Sequence, residues 1–233
     1  NSIENFGSMN VLCSDKTGTL TEGKVTIYSL TDAEGNKSDK VILYAQLNAH
    51  YQTGFVNPID EAIINYQKIN LEETSKAGEI PYDFLRKRLS VIVSQQNNNI
   101  MITKGALTNV LAVCKSIERG NGTVEKIDMD LDKINDYYTK MSSSGYRMLG
   151  IAYKIIEQGI TIIKELESEM IFLGFILLYD PPKKNIIETI VNLNKMGVSL
   201  KIITGDNKLV ANNVSKQIGL QDIKLVTGTE IRQ

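Results

Sequence analysis

The sequence predicts an α/β fold: a doubly wound parallel sheet built from the two ends of the chain, with an α+β domain around an antiparallel sheet inserted between them. Three observations predict it. A largely apolar run, Met9 to Cys13, leads into the turn-rich string DKTGTLT at Asp15 to Thr21, as a buried parallel strand does. From Asp180 onward, helical and strand-like stretches alternate as βαβαβ, the pattern of a parallel sheet. The middle sets strand-like runs side by side with hairpin signals between them, which suits an antiparallel sheet with helices packed on it.

Met9 to Asp15 is the first strand, Lys24 to Leu30 a second extended piece, and Asp32 to Lys40 a turn-rich connection. Ser38 or Asp39 caps a helix from about Lys40 to Tyr51, and Asn57-Pro58 opens another with Ile59, Ile63 and Tyr66 on one face. Glu79 to Leu85, Leu89 to Gln95 and Ile100 to Lys104 read as strands, with Gln95 to Asn99 as a hairpin loop. Leu107, Val110, Leu111 and Cys114 recur at helical spacing after Gly105. A helix over Leu131 to Met141 ends before Ser142 to Gly145, and Arg147 to Lys154 and Phe172 to Tyr179 return to strand character. Pro181-Pro182 starts a helix carrying Ile186, Ile190 and Leu193, and Gly197 closes it. Val198 to Thr204 is a strand ending in TGD, Asp206 or Asn207 begins a helix to about Ile218, and Ile223 to Val226 is a last short strand.

With 233 residues, 42% hydrophobic and 23% charged, the chain has the composition of an ordinary soluble globular protein of one large or two modest domains. A net charge of -1 gives no basic field for nucleic acid. Two cysteines, Cys13 and Cys114, imply no disulfide framework and suit a reducing cytoplasm. The longest apolar run, Met170 to Tyr179, falls well short of the roughly 20 residues of a membrane helix. No signal sequence is visible at Asn1 to Ser8, and the chain is expected to be a soluble piece of a larger protein.

A strand ending in a carboxylate and a small-residue turn presents a nucleophile at the carboxyl edge of an α/β sheet, so Asp15 is the candidate nucleophile. A lone Asp among Thr and Gly is an ordinary turn; seven ordered positions carry more. Thr204-Gly205-Asp206 sits likewise between a strand and a helix. Two such strand ends side by side bring a Thr hydroxyl and helix-start N–H groups to a phosphate on Asp15. TGD alone is usually a loop, and it gains weight from its pairing with DKTGTLT.

At DKTGTLT the sequence resembles the P-type ATPases, ion pumps whose aspartate in this string takes the γ-phosphoryl of ATP as an acyl phosphate. The resemblance implies a haloacid dehalogenase-like phosphorylation domain at residues 1–27 and 178–233, and a nucleotide-binding domain at 28–177. It implies that Thr204 and Asp206, flanking Gly205, hold the phosphoryl group and order the loop, and that the Thr17 carbonyl binds Mg²⁺ beside the Asp15 carboxylate. Lys16 assists as a fixed positive charge. Phosphatases of the wider superfamily carry an acid/base aspartate two positions after the nucleophile. This chain has Thr17 there, so its aspartyl phosphate is expected to hydrolyse slowly.

The middle matches the same pumps in order. Asn57 to Ala62 resembles the segment whose acidic residue contacts the adenine amino group, which places Asp60 there. Tyr82 to Val91 resembles the strand supplying a stacking ring and a lysine, Tyr82 and Lys87; Phe84 shares strand parity with Tyr82 and stays an alternative for the ring. Lys104-Gly105-Ala106 resembles the turn whose lysine lines the adenine pocket. Gly145 to Leu149 resembles the strand whose arginine reaches the phosphates and whose leucine closes the adenine pocket, which places Arg147 and Leu149 in those roles. Each has a plainer reading, since strand aromatics are usually core and charge runs usually solvated. Asp180-Pro181-Pro182-Lys183 resembles the junction where the chain re-enters the phosphorylation domain, and two prolines suit a hinge. The string Leu47 to Gly54, which holds the one histidine, His50, resembles the bacterial magnesium-transporting members more than the calcium pumps.

The family pattern calls for a further GDGxND segment that this sequence does not contain, together with transmembrane and actuator segments as partners in the parent chain at the cytoplasmic face of the cell membrane. Without the second magnesium carboxylate the 233-residue polypeptide is expected to bind ATP with little or no turnover. The alternatives are a haloacid dehalogenase-type phosphatase with a large cap domain, against which Thr17 speaks, and a nucleotide-binding module without turnover.

Overall fold

The structure, a computed structural model, describes residues 7–54, 57–95, 98–220 and 223–231. Along the chain these form β1 (Val11–Asp15), β2 (Thr26–Asp32), α1 (Asp39–Tyr51), α2 (Pro58–Ile64), β3 (Thr74–Asp83), β4 (Arg88–Gln95) and β5 (Asn98–Ala106). Next come α3 (Leu107–Leu111), β6 (Cys114–Glu118), β7 (Val124–Lys126), α4 (Leu131–Ser143), β8 (Arg147–Ile156) and β9 (Met170–Tyr179). The described chain ends with α5 (Ile186–Lys195), β10 (Ser199–Ile203), α6 (Lys208–Gln217) and α7 (Gly228–Ile231). Two compact units result, one of Asn1–Lys24, Met141–Arg147 and Tyr179–Gln233, the other of Val25–Lys140 and Met148–Leu178.

In the first unit β1 pairs parallel with β10, Val11 opposite Ser199 through Asp15 opposite Ile203. Leu200 and Ile202 pack on a core of Leu20, Ile186, Ile190, Val210, Val214 and Ile218, so α5 and α6 cover one face of the pair. The alternate positions, Val11, Cys13, Lys201 and Ile203, are exposed, as the period of two requires. Asn207 caps α6 by accepting the Val210 N–H at 2.9 Å.

The second unit is built on an eight-stranded sheet of order β3-β4-β5-β8-β9-β6-β7, with β2 also pairing β9. Strands β3, β4, β5 and β8 are successively antiparallel. β6 runs parallel to β9, so the sheet is mixed rather than purely antiparallel. One face, with Leu89, Val91, Val93, Ile102 and Ile151, packs on Val41, Ile42, Ala45 and Leu47 of α1. Ser38 caps α1 through the Val41 N–H. Asn57 caps α2 with Pro58 in its first turn, the arrangement in which the missing proline N–H leaves no helical bond unmade.

Local expectations change at several points: α2 ends at Ile64, short of Tyr66, and α4 runs on through Ser143. Cys114 opens β6 rather than closing a helix, because Met170 of β9 pairs with it and β7 pairs with the residues from Ser116 on, and tertiary pairing overrides a weak helical period. The helix after Asp180 starts at Ile186, not at the prolines. Pro181 and Pro182 run extended beside residues 20–22, through Glu22 N–H to Pro181 O at 2.9 Å and Lys183 N–H to Leu20 O at 3.0 Å. Ile223 to Val226 forms no strand, since β propensity makes a strand only where a neighbour presents its own N–H and C=O groups; the expected last β of βαβαβ is therefore not present among the described residues. In the Gln95 to Asn99 loop, Gln96 and Asn97 lie outside the described residues, and β4 and β5 pair up to Gln95 opposite Asn98.

Candidate functional site

Asp15 ends β1, exposed, with its Oδ1 accepting the Lys16 N–H at 2.8 Å. The chain then turns through Thr17 and Gly18, and Gly18 has φ +75°, a conformation glycine adopts without the Cβ penalty. The Thr21 hydroxyl accepts the Gly18 N–H at 3.2 Å and donates to Asp180 Oδ2 at 2.6 Å. Asp180 also accepts the Gly23 N–H at 3.0 Å, so its carboxylate joins the two segments where the chain passes between units.

Lys16 turns away from solvent. Its ammonium is 2.7 Å from Asp206 and 3.8 Å from Asp180, with side chains of all three at most 10% exposed. The Thr204 hydroxyl accepts the Asp206 N–H at 3.1 Å, and Gly205 is exposed with open space about it. Because Asp15 lies opposite Ile203, the DKTGTLT turn and the Thr204-Gly205-Asp206 turn leave adjacent strand ends. Among the described residues no group of three or more His, Cys, Asp or Glu side chains forms a metal site. One carboxylate with a backbone carbonyl is nevertheless the kind of hard-oxygen set that Mg²⁺ takes beside water and phosphate, and Asp15 with Thr17 offers it.

In the second unit, Asp60 and Lys104 meet. The Lys104 ammonium is ion-paired with Asp60 Oδ1, and both side chains are almost fully buried. Asp60 Oδ2 accepts from Gln52 at 2.9 Å and from Asn57 at 2.6 Å. A carboxylate has about four lone-pair sites; among the described residues three are filled. Burial pushes the Lys104 ammonium below its ordinary value, against the opposing pull of Asp60. Sequence reasoning named Asp60 and Lys104 separately and missed Gln52 and Asn57, although Asn57 was visible as the cap of α2.

Tyr82, near the end of β3, and Phe84, in the β3–β4 turn, are 49% and 86% exposed, with ring centroids 5.6 Å apart, edge to face. Both rings are open to a flat ligand. Lys87 follows with φ +50°, and its carbonyl accepts the Ala106 N–H at 2.9 Å. Gly105 explains its own identity: a Cβ there would stand 2.5 Å from Lys87 O and 2.6 Å from Arg88 Cα. The glycine lets the β3–β4 turn close down beside Lys104. Leu149 is half-buried against the core under α1, and Arg147 is exposed at the start of β8. A cavity of about 440 Å³, lined by Asp32, Lys40, Glu118 and Arg119 among others, contains none of the candidate site residues named from the sequence.

The family model for the P-type ATPase cytoplasmic domain N matches residues 2–185. The chain belongs to the P-type ATPases. It is 35% identical over 237 residues to the magnesium-transporting ATPase, P-type 1, of Escherichia coli strain K12, over 98% of this chain and 26% of that protein. The corresponding protein of Salmonella typhimurium strain 14028s is 35% identical over 240 residues, with the same coverage. Calcium-transporting ATPase 1 of Bacillus cereus is 31% identical over 256 residues, 98% of this chain and 28% of the relative. The chain thus spans about a quarter of the length of these curated relatives. Membership in this family of ATP-driven cation transporters disfavours the free-standing phosphatase. No helix among the described residues is long and apolar enough to cross a membrane.

Proposed function

We propose that this chain supplies the nucleotide-binding and phosphoryl-accepting parts of an ATP-driven cation pump whose cargo is magnesium. Residues 1–27 and 178–233 form its phosphorylation domain, on a haloacid dehalogenase-like plan, and residues 28–177 its nucleotide-binding domain. Its partners are the transmembrane and actuator segments of the parent chain, at the cytoplasmic face of the membrane. The observation that carries the reading is the parallel register of Asp15 opposite Ile203, from which DKTGTLT and TGD leave one sheet edge together.

An Asp15 carboxylate oxygen attacks the γ-phosphorus of ATP; the bond to the β–γ bridging oxygen breaks, and ADP leaves with that electron pair. The Thr204 hydroxyl and the N–H groups of the Gly205 turn receive the phosphoryl oxygens. Lys16 acts through Asp206, which it holds at 2.7 Å, rather than as a free charge. The Asp15 carboxylate and the Thr17 carbonyl would hold Mg²⁺, which when bound would supply neutralising charge. Thr17 offers no acid/base group for the next step, which favours a persistent phosphoenzyme. In the other domain Tyr82 or Phe84 stacks on adenine, Asp60 takes its amino group beside Lys104 and Gly105, Leu149 closes the pocket, and Lys87 and Arg147 serve the phosphates.

Acid-quenched incubation of the intact parent protein with γ-labelled ATP and Mg²⁺ tests this. Label should appear on Asp15 and vanish in Asp15→Asn; label retained by that variant would defeat the assignment. The magnesium reading is supported by the names of the relatives. Transport assays of the parent with magnesium and calcium decide it, and calcium uptake alone would overturn it.

A further inference from the structure

We propose that Glu167, a residue outside every motif named above, is the positioning residue of the nucleotide site. It fixes the β3–β4 turn that presents Tyr82, Phe84 and Lys87, and the inference rests on the nucleotide-binding reading of that turn. Glu167 lies between β8 and β9, just after a single helical turn at Lys164–Leu166. Its side chain has no solvent exposure. Three donors converge on it: Arg86 Nη1 and, at 2.8 Å, Arg88 Nε on Oε2, and the Ser90 hydroxyl at 2.7 Å on Oε1.

Arg86 carries the effect to the rings. Its Nε donates to Asp83 Oδ2 and its Nη2 to the Pro81 carbonyl at 2.6 Å, while Nη1 is held by Glu167. Pro81 and Asp83 flank Tyr82, so one guanidinium grips both sides of the ring-bearing residue with its planar fork. Burial alone would lower the Arg86 value, and Glu167 and Asp83 more than reverse it, so the guanidinium stays charged. The same connection adds Lys164, 3.6 Å from Asp83, and Ile162, whose side chain lies over Gly78 of β3. Residues 162–167 thus form a strap across the hairpin. A turn with Phe84 and Leu85 at 86% and 92% exposure has little packing of its own to order it, and holding a binding loop in place before the ligand arrives raises affinity.

A purely structural carboxylate is the competing explanation, and a matched control separates the two. Glu118 is likewise buried, accepts from Lys40 at 2.7 Å and from the Tyr153 hydroxyl, and touches none of the nucleotide residues. The 233-residue chain would be compared as wild type, Glu167→Gln, Glu118→Gln, Arg86→Lys and Lys104→Ala, measuring dissociation constants for ATP and GTP and stability to urea. Glu167→Gln and Arg86→Lys should weaken ATP binding about tenfold and shrink the preference for ATP over GTP. Glu118→Gln should lose stability with unchanged affinity. Unchanged affinity and base preference in both Glu167→Gln and Arg86→Lys, with Lys104→Ala weakened, overturns the positioning role alone. A wild-type chain that binds no ATP, or a Lys104→Ala chain that binds it normally, overturns the nucleotide-site reading beneath it. If Glu167→Gln does not fold, Arg86→Lys decides, since it keeps the charge and loses the three-way grip.

Discussion

Lys16 and Lys104 are buried to nearly the same degree, 6% and 5% exposed, and each is neutralised by aspartate, yet they stand differently toward the chemistry. Lys16 is turned inward onto Asp206 and Asp180, while its neighbour Asp15 stays in solvent. In that unit the proposed nucleophile is exposed and its support is buried, on different residues. Lys104 and Asp60 are at once the support and the proposed base-reading groups. Loss of function and loss of stability should therefore separate in the first unit and coincide in the second.

The largest effects test that division. Lys16→Ala leaves two carboxylates buried without their cation and should cost about 3–5 kcal/mol in urea denaturation. Asp15→Asn, at an exposed site, should stay within about 0.5 kcal/mol of wild type while abolishing phosphorylation of the parent. Lys104→Ala should cost a similar 3–5 kcal/mol or so and also weaken ATP binding. Combining Asp60→Asn with Lys104→Met removes both charges at nearly constant volume, keeps an acceptor for Gln52 or Asn57, and should recover most of the stability with none of the affinity. A double variant that regains ATP binding would break the comparison, because Asp60 and Lys104 would then be support only.

These two lysines also show how far the sequence could be read. The DKTGTLT string exposes its chemistry locally: an apolar strand, a nucleophile and a glycine turn occur within eleven residues of one another, so Asp15 was legible from spacing and context. The inward turn of Lys16 was not, because its partners Asp180 and Asp206 are remote in sequence and are brought near by the β1–β10 register and the paired segments at residues 20–22 and 181–183. Asp60 and Lys104 were legible as separate motifs, whereas their ion pair, spanning 44 positions, depends on where α2 packs. Glu167 gave no local signal at all, its arginines lying 79 and 81 positions away. Helices with polar caps could be read at their starts, α1 nearly to the residue throughout and α2 at Pro58 but not at its end; β6 could not, because pairing with β9 and β7 decided it.

An intermediate effect sharpens the second half of the comparison without touching a charge. Gly105→Ala puts a methyl carbon 2.5 Å from the Lys87 carbonyl oxygen and 2.6 Å from Arg88 Cα, both backbone atoms that move only if the turn moves. Overpacking of this kind costs about 1–3 kcal/mol, and it should lower ATP affinity through displacement of Lys87 and the rings. Normal affinity at reduced stability would show that the turn's position does not matter to binding, and would count against the strap as well.

The smallest effect lies at the turn's exposed rim and depends on pH. The Asp83 carboxyl is pulled down to about 2, first by the Arg86 backbone N–H and then by its guanidinium. Its folded value thus lies below its unfolded value of 3.8, so the folded state binds the proton less readily than the unfolded chain. The resulting stability is fully present above about pH 4 and is lost as the pH falls through 2. Asp83→Asn should therefore be slightly less stable than wild type at pH 6, and the gap should close between pH 4 and 2. The effect is modest because the pair is solvent-screened. Denaturation midpoints for both proteins across that range measure it; a gap that persists at pH 2 would mean that Asp83 acts through its shape and its hydrogen bonds rather than its charge. In that case the hold of Arg86 on Asp83 would be that of a hydrogen bond rather than an ion pair.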